Sequence, residues 1–138
     1  MPGWVQQGVE EYCKRLPREL KPAWREIALA RRGRELSAQQ ASAAEGAQML
    51  KALPAADRVI ALEVGGRRIS TQGLADQLRQ WQMSGDNYSF LIGGPDGLAP
   101  DCMERADYSW SLSDLTLPHP LVRVVLAEQL YRAWTITV

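Results

Sequence analysis

One histidine, His119, stands between Pro118 and Pro120 at the end of the run Ser-Leu-Ser-Asp-Leu-Thr-Leu-Pro-His-Pro that begins at Ser111. Its imidazole is the only side chain here whose ordinary pKa lies near neutrality, which makes it a candidate for handling a proton or touching a substrate. The alternative is a histidine that only shapes the start of a helix between two prolines. Ahead of it, Leu112, Ser113, Asp114, Leu115, Thr116 and Leu117 alternate small polar side chains with leucines. Such a run suits backbone hydrogen bonding to a flat heterocycle with leucines packed on its faces. An ordinary loop leading into a helix has the same composition. A second stretch, Gly93-Gly94-Pro95-Asp96-Gly97, lets a main chain approach a ligand closely and take positive φ. It reads equally well as a turn. No Gly-Lys-Ser/Thr follows it and no GxGxxG opens a helix, so neither a P-loop nor a Rossmann cofactor site is expected.

Cys13 and Cys102 lie far apart and form no CxxC pattern. A zinc site would need His119, both cysteines and a carboxylate, so no metal is expected. Two unpatterned cysteines with no export signal read as reduced thiols of a cytoplasmic protein. No apolar run approaches the roughly 18 residues of a membrane span. Sixteen basic residues balance 16 acidic ones, a net charge of zero that argues against bulk electrostatic coating of nucleic acid. The basic residues nonetheless cluster: Lys14, Arg15, Arg18 and Lys21; Arg31, Arg32 and Arg34; Arg67 and Arg68. Each cluster fits a solvated face or a local footprint on a structured RNA.

The elements that position these residues alternate. Trp4, Val5, Val9, Tyr12 and Leu16 recur at the spacing of one helical face, between Pro2 and Pro17. Trp24 to Ala30 is a short strand candidate. Ser37 is an N-cap candidate for a helix to Leu53 with Met49, Leu50 and Leu53 on its core side. Arg58 to Val64 is a nearly continuous apolar run ending in Gly65-Gly66, the pattern of a strand buried on both faces of a parallel sheet. A third helix starts at Ser70 or Thr71 and ends around Gly85. A strand follows at Tyr88 to Gly94, then a short segment at Pro100 to Ala106. Tyr108 to Leu117 is part strand and part loop, and a final helix covers Pro120 to Trp134. This alternation predicts an α/β fold with a mainly parallel sheet in a single domain, residues 1–138. Ligands of such sheets bind outside the carboxyl ends of the strands, here at Leu62 to Gly66, Gly93 to Gly97 and Leu112 to Pro118. The final helix carries Leu121, Val122, Val124, Val125, Leu126, Leu130, Tyr131 and Trp134 around most of its circumference. A second subunit is the expected cover.

"FLIGGPDGL" from Phe90 and "SLSDLTLPHPLVRVVLAEQLYRAW" from Ser111 resemble, in order and spacing, motifs of the RlmH family of SPOUT-class RNA methyltransferases. The resemblance extends through "MPGWVQQGVEEY", "EGAQML" and "RVIALEVGG", covering essentially the whole chain. It implies a SPOUT fold with a C-terminal trefoil knot, an exception to the rarity of knots. It also implies a homodimer in which each site is completed by the partner. The methyl donor would be S-adenosyl-L-methionine, contacted by Leu62, Gly93 and the run Leu112, Ser113, Asp114, Leu115, Thr116 and Leu117. The implied reaction is methylation of N3 of a pseudouridine in 23S ribosomal RNA within the assembled ribosome. His119 and Arg123 are then the candidate catalytic residues; Arg123 and Arg132 would bind phosphate or support the dimer.

Members of that family begin with a strand about ten residues before the segment matching Met1, and finish with a tail bearing Tyr-His-Arg-like residues. This sequence shows neither, so the donor site is expected to carry over more completely than the proton route. Two other functions compete with the methyltransferase: a catalytically silent SPOUT dimer that binds RNA or the ribosome, and a generic nucleotide-binding or flavodoxin-like module.

Overall fold

Val59, Ile60, Ala61 and Leu62 are four consecutive buried residues in the first half of β1 (Arg58–Arg68). A strand buried on both faces has no polar side to alternate with, which is why the run is continuous. It is flanked by β2 (Tyr88–Ile92) and β3 (Tyr108–Ser111) in the order β2-β1-β3, and both pairings are parallel. Register runs from Arg58 opposite Tyr88 to Leu62 opposite Ile92 on one side, and from Ile60 opposite Tyr108 to Leu62 opposite Trp110 on the other. The structure, a computed structural model, describes residues 2–27, 37–93 and 97–138. Among the described residues the helices are α1 (Gly3–Cys13), α2 (Ala38–Ala52), α3 (Thr71–Ser84), α4 (Pro100–Arg105) and α5 (His119–Thr137), with a 3-10 turn at Arg18–Leu20.

The chain divides into two compact units. One comprises Ile27–Arg68 and Asp86–Thr116 and contains the sheet with α2 and α4. Its core is Val59, Leu91, Ala99 and Cys102, packed by Met49, Leu50 and Leu53 of the α2 segment as their spacing predicts. Ser37 starts α2 with a capping box: the Gln40 N–H donates to Ser37 Oγ (3.1 Å) and the Ser37 N–H to Gln40 Oε1 (3.0 Å). Gly46 permits the close approach of α2 to α4, because a Cβ there would lie 2.6 Å from the Ala99 Cβ. Asp107 ties the start of β3 to β1, accepting from the Val59 N–H (2.8 Å) while its own N–H donates to the Val59 carbonyl (2.8 Å).

The other unit, Met1–Glu26, Ile69–Gly85 and Leu117–Val138, is helical. α5 packs against both α1 and α3, burying Leu126, Ala127, Leu130 and Ala133. Val5 and Val9 of α1 are buried, as are Leu74, Ala75, Leu78 and Trp81 of α3. Ser70 caps α3 through the Gly73 N–H (3.0 Å), and Gly85 closes it at φ 74°. Leu121, Val122, Val124, Val125, Tyr131 and Trp134 are only half-buried, so the apolar circumference of α5 is incompletely covered by its own chain.

Two expectations change. Trp24 to Ile27 is not a strand, and residues 28–30 of that candidate lie outside the described residues. Arg31, Arg32 and Arg34 lie outside them too. β1 does not stop at Gly65-Gly66 but bulges there and pairs again, with Arg67 opposite Trp110 and Arg68 opposite Ser111. The bulge depends on Gly66, where a Cβ would stand 2.8 Å from the Ser109 carbonyl carbon.

Candidate functional site

The parallel register brings three predicted ligand segments to one edge of the sheet. Leu62 pairs with Ile92, the residue before Gly93, and with Trp110, two residues before Leu112. The carboxyl ends of β2 and β3 therefore converge beside Leu62 of β1, at the side of the sheet where open α/β sheets bind ligands.

Each segment contributes differently. Leu62 is buried within the sheet. Gly93 directly follows β2, and its environment differs from the expected open approach. A Cβ there would meet the chain's own backbone, 2.7 Å from the Gly97 carbonyl carbon and 2.9 Å from the Leu98 nitrogen. Among the described residues of this loop, Gly97 takes positive φ (80°) and Gly93 does not. Residues 94–96 lie outside the described residues.

The segment after β3 is an ordered turn. Buried Ser111 donates from Oγ to the Ser113 carbonyl (2.8 Å), and the Leu115 N–H donates to Ser113 Oγ (3.0 Å). Leu112 and Ser113 are half-buried, while Asp114, Leu115 and Thr116 are exposed, Leu115 by 71%. Asp114 pairs with Arg68 of β1 (2.9 Å). Arg67, its neighbour, is exposed and has no carboxylate partner among the described residues.

Sequence reasoning passed over Glu63. It follows Leu62 within β1, is half-buried, and its Oε2 would lie 3.8 Å from a Cβ at Gly97. The only signal available was its position beside Leu62; a carboxylate in an apolar run at a ligand-binding edge is a functional candidate.

Leu117, His119 and Arg123 fall in the helical unit. Leu117 and His119 are half-buried, and His119 is the first residue of α5. The Pro118 carbonyl accepts from the Leu121 N–H (3.0 Å) and the Val122 N–H (3.1 Å), so the two prolines do shape this helix start. Arg123 donates from Nη1 to Glu26 (2.8 Å), with its side chain only 16% exposed. Arg132 pairs with Glu128 one turn away (2.8 Å).

Neither cysteine is tuned as a nucleophile. Burial pushes the Cys102 thiol up, with the Asp101 charge adding to it, and burial also raises Cys13 against the opposing Trp24 and Lys21 contributions. Among the described residues, no group of three His, Cys, Asp or Glu could hold a metal ion, and no helix is long and apolar enough to cross a membrane.

A three-stranded parallel sheet flanked by helices defines an α/β protein, without a metal-ligand cluster among the described residues. The family model described as "Predicted SPOUT methyltransferase" matches residues 1–138, and the chain belongs to this family of methyltransferases. It is similar to proteins named "Ribosomal RNA large subunit methyltransferase H". The relative from Saccharophagus degradans (strain 2-40 / ATCC 43961 / DSM 17024) is 57% identical over 136 residues, and that from Marinomonas sp. (strain MWYL1) is 55% identical over 136. The relative from Teredinibacter turnerae (strain ATCC 39867 / T7901) is 54% identical over 139 residues. Each comparison covers 99% of this chain and 88% of the relative.

Proposed function

We propose that this protein methylates ribosomal RNA, using S-adenosylmethionine to modify N3 of a pseudouridine in 23S-type RNA of the assembled ribosome. It acts in the cytoplasm as a homodimer carrying the C-terminal trefoil knot of its family. The observation that carries this reading is the convergence of Leu62, Gly93 and Leu112 to Thr116 at one carboxyl edge of a parallel sheet, in a chain whose relatives bear the name of a ribosomal RNA methyltransferase.

The residues at that edge suit the donor. Leu115 offers an apolar face, the Ser111–Ser113 turn orders the surrounding backbone, and Glu63 provides negative charge suited to a cation. When bound, S-adenosylmethionine supplies a methyl group on an electrophilic sulfonium. Leu62, Gly93 and Leu112 to Leu117 bind and orient it, because transfer requires alignment at near-attack distance. His119 takes the imino proton from the target nitrogen, a role for which imidazole is suited at neutral pH. Arg67 contacts RNA phosphate, setting register rather than reading sequence. Arg123 holds the start of α5 through Glu26, and reaches phosphate only if that pair opens. The half-buried apolar residues of α5 support the dimer.

The test is transfer of labelled methyl from S-adenosylmethionine to undermodified ribosomes, followed by nucleoside analysis of the large-subunit RNA. Label in N3-methylpseudouridine is expected. Label in another nucleoside overturns the assigned target. Donor binding without transfer favours a silent ribosome-binding dimer.

A further inference from the structure

We propose that Arg68 is a positioning residue that holds the loop Leu112 to Thr116 in its donor-binding shape. The inference rests on the reading of that loop as the S-adenosylmethionine site. It starts from the bulge in β1. A strand that ended at Gly65-Gly66 would leave Arg68 in the following loop. Because Gly66 lies against the Ser109 main chain, β1 instead pairs again, and Arg68 comes to stand opposite Ser111. From there its Nη2 reaches Asp114 Oδ2 at 2.9 Å.

Asp114 sits between the two residues that define the turn. Ser113 accepts the Leu115 N–H, and Ser111 reaches the Ser113 carbonyl, so the inner side of the turn is fixed by its own hydroxyls. These bonds hold the Leu115 amide but not the Asp114 side chain, whose tether among the described residues is the ion pair to Arg68. The backbone groups of this loop are the proposed donor contacts, so anchoring Asp114 lowers the ordering cost that binding must otherwise meet.

The pair is exposed, 80% at Arg68 and 66% at Asp114, which sets both its size and its signature. An exposed ion pair shifts an equilibrium by no more than roughly fivefold. Salt screens it, the Debye length falling to about 3 Å at 1 M. Donor affinity should therefore contain a small component that disappears at high ionic strength and depends on both residues together.

The test compares the parent with Arg68→Ala, Asp114→Ala, the double substitution and Arg68→Lys. Amide hydrogen exchange of the ligand-free proteins reports loop order, and calorimetric titration with S-adenosylmethionine at low and high salt reports its consequence. In Arg68→Ala the Leu115 amide should exchange faster, and affinity should fall two- to fivefold at low salt but not at high salt, within the range of an exposed pair. The double substitution should be no worse than either single one, and Arg68→Lys should recover part of the loss. If the parent binds the donor but Arg68→Ala matches it in exchange and affinity, or the two single effects simply add, the positioning role is overturned alone. If the parent binds no donor, the underlying reading of the loop falls, whatever the exchange result.

Discussion

Gly93 lies directly against the peptide joining Gly97 to Leu98: a Cβ on it would be 2.7 Å from one carbonyl carbon and 2.9 Å from the next nitrogen. The glycine is thus required by the loop's closure on itself, before any ligand arrives. Gly93→Val should disturb the loop and the donor site together. We expect a stability loss of about 1–3 kcal/mol, the usual cost of overpacking, alongside a sharp fall in S-adenosylmethionine affinity. Urea denaturation and calorimetry on the same preparation check it; a fully stable variant that binds normally would contradict the observed packing.

Gly46 offers a cleaner test of packing, remote from the ligand edge in sequence. Replacing a helix-interior glycine by alanine ordinarily gains up to about 1 kcal/mol in propensity. Here the new Cβ would fall 2.6 Å from that of Ala99, where α2 meets α4. Overpacking of this kind costs about 1–3 kcal/mol, so the net effect of Gly46→Ala should be destabilising. A lowered denaturation midpoint with unchanged slope is expected; a raised midpoint would show that the helices separate freely.

The proposed proton role of His119 predicts a split between binding and chemistry. His119→Ala should leave S-adenosylmethionine affinity near the parent value while single-turnover methyl transfer falls by about 10²–10⁴-fold, the range for a general base. Equal loss of donor affinity and rate would point instead to the helix-start role that Pro118 and Pro120 already suggest.

Arg123 is almost enclosed and paired with Glu26, so it should behave as a structural cation. Arg123→Ala removes one partner of Glu26, whose carboxylate is half exposed and stays solvated. The expected stability loss is therefore modest, about 1 kcal/mol, most of it from the lost hydrogen bond and stem packing. Thermal denaturation of Arg123→Ala and Glu26→Gln, singly and together, measures the coupling. Additive effects would leave Arg123 available for RNA.

α5 should carry the proposed dimer contact. Val125 is only half-buried in its own chain, so Val125→Asp would place an unpaired charge in the interface at a cost of about 3–5 kcal/mol. The parent should sediment as a dimer at micromolar concentration and the variant as a monomer. A monomeric parent would remove the dimer from the proposed function.

Much of this protein was determined locally and could be read along the chain. Ser37 and Ser70 start helices because their hydroxyls meet amides three residues on, and Gly85 ends one because it tolerates φ of 74°. Arg58 to Val64 announced a doubly buried strand through continuous apolar character, and the approach of Leu62, Gly93 and Leu112 at one side of the sheet followed from its parallel strand order. The same logic failed for Trp24 to Ile27, where apolar residues occur without a partner strand to make them one. Pairing across the sheet is non-local. Only β3 lying beside Gly66 decided that β1 continues to Arg68, which is why the Arg68–Asp114 pair was not visible beforehand. The reason for Gly93 was hidden likewise: an unfolded glycine shows permissiveness, and only the folded loop shows which atoms occupy the space a side chain would need.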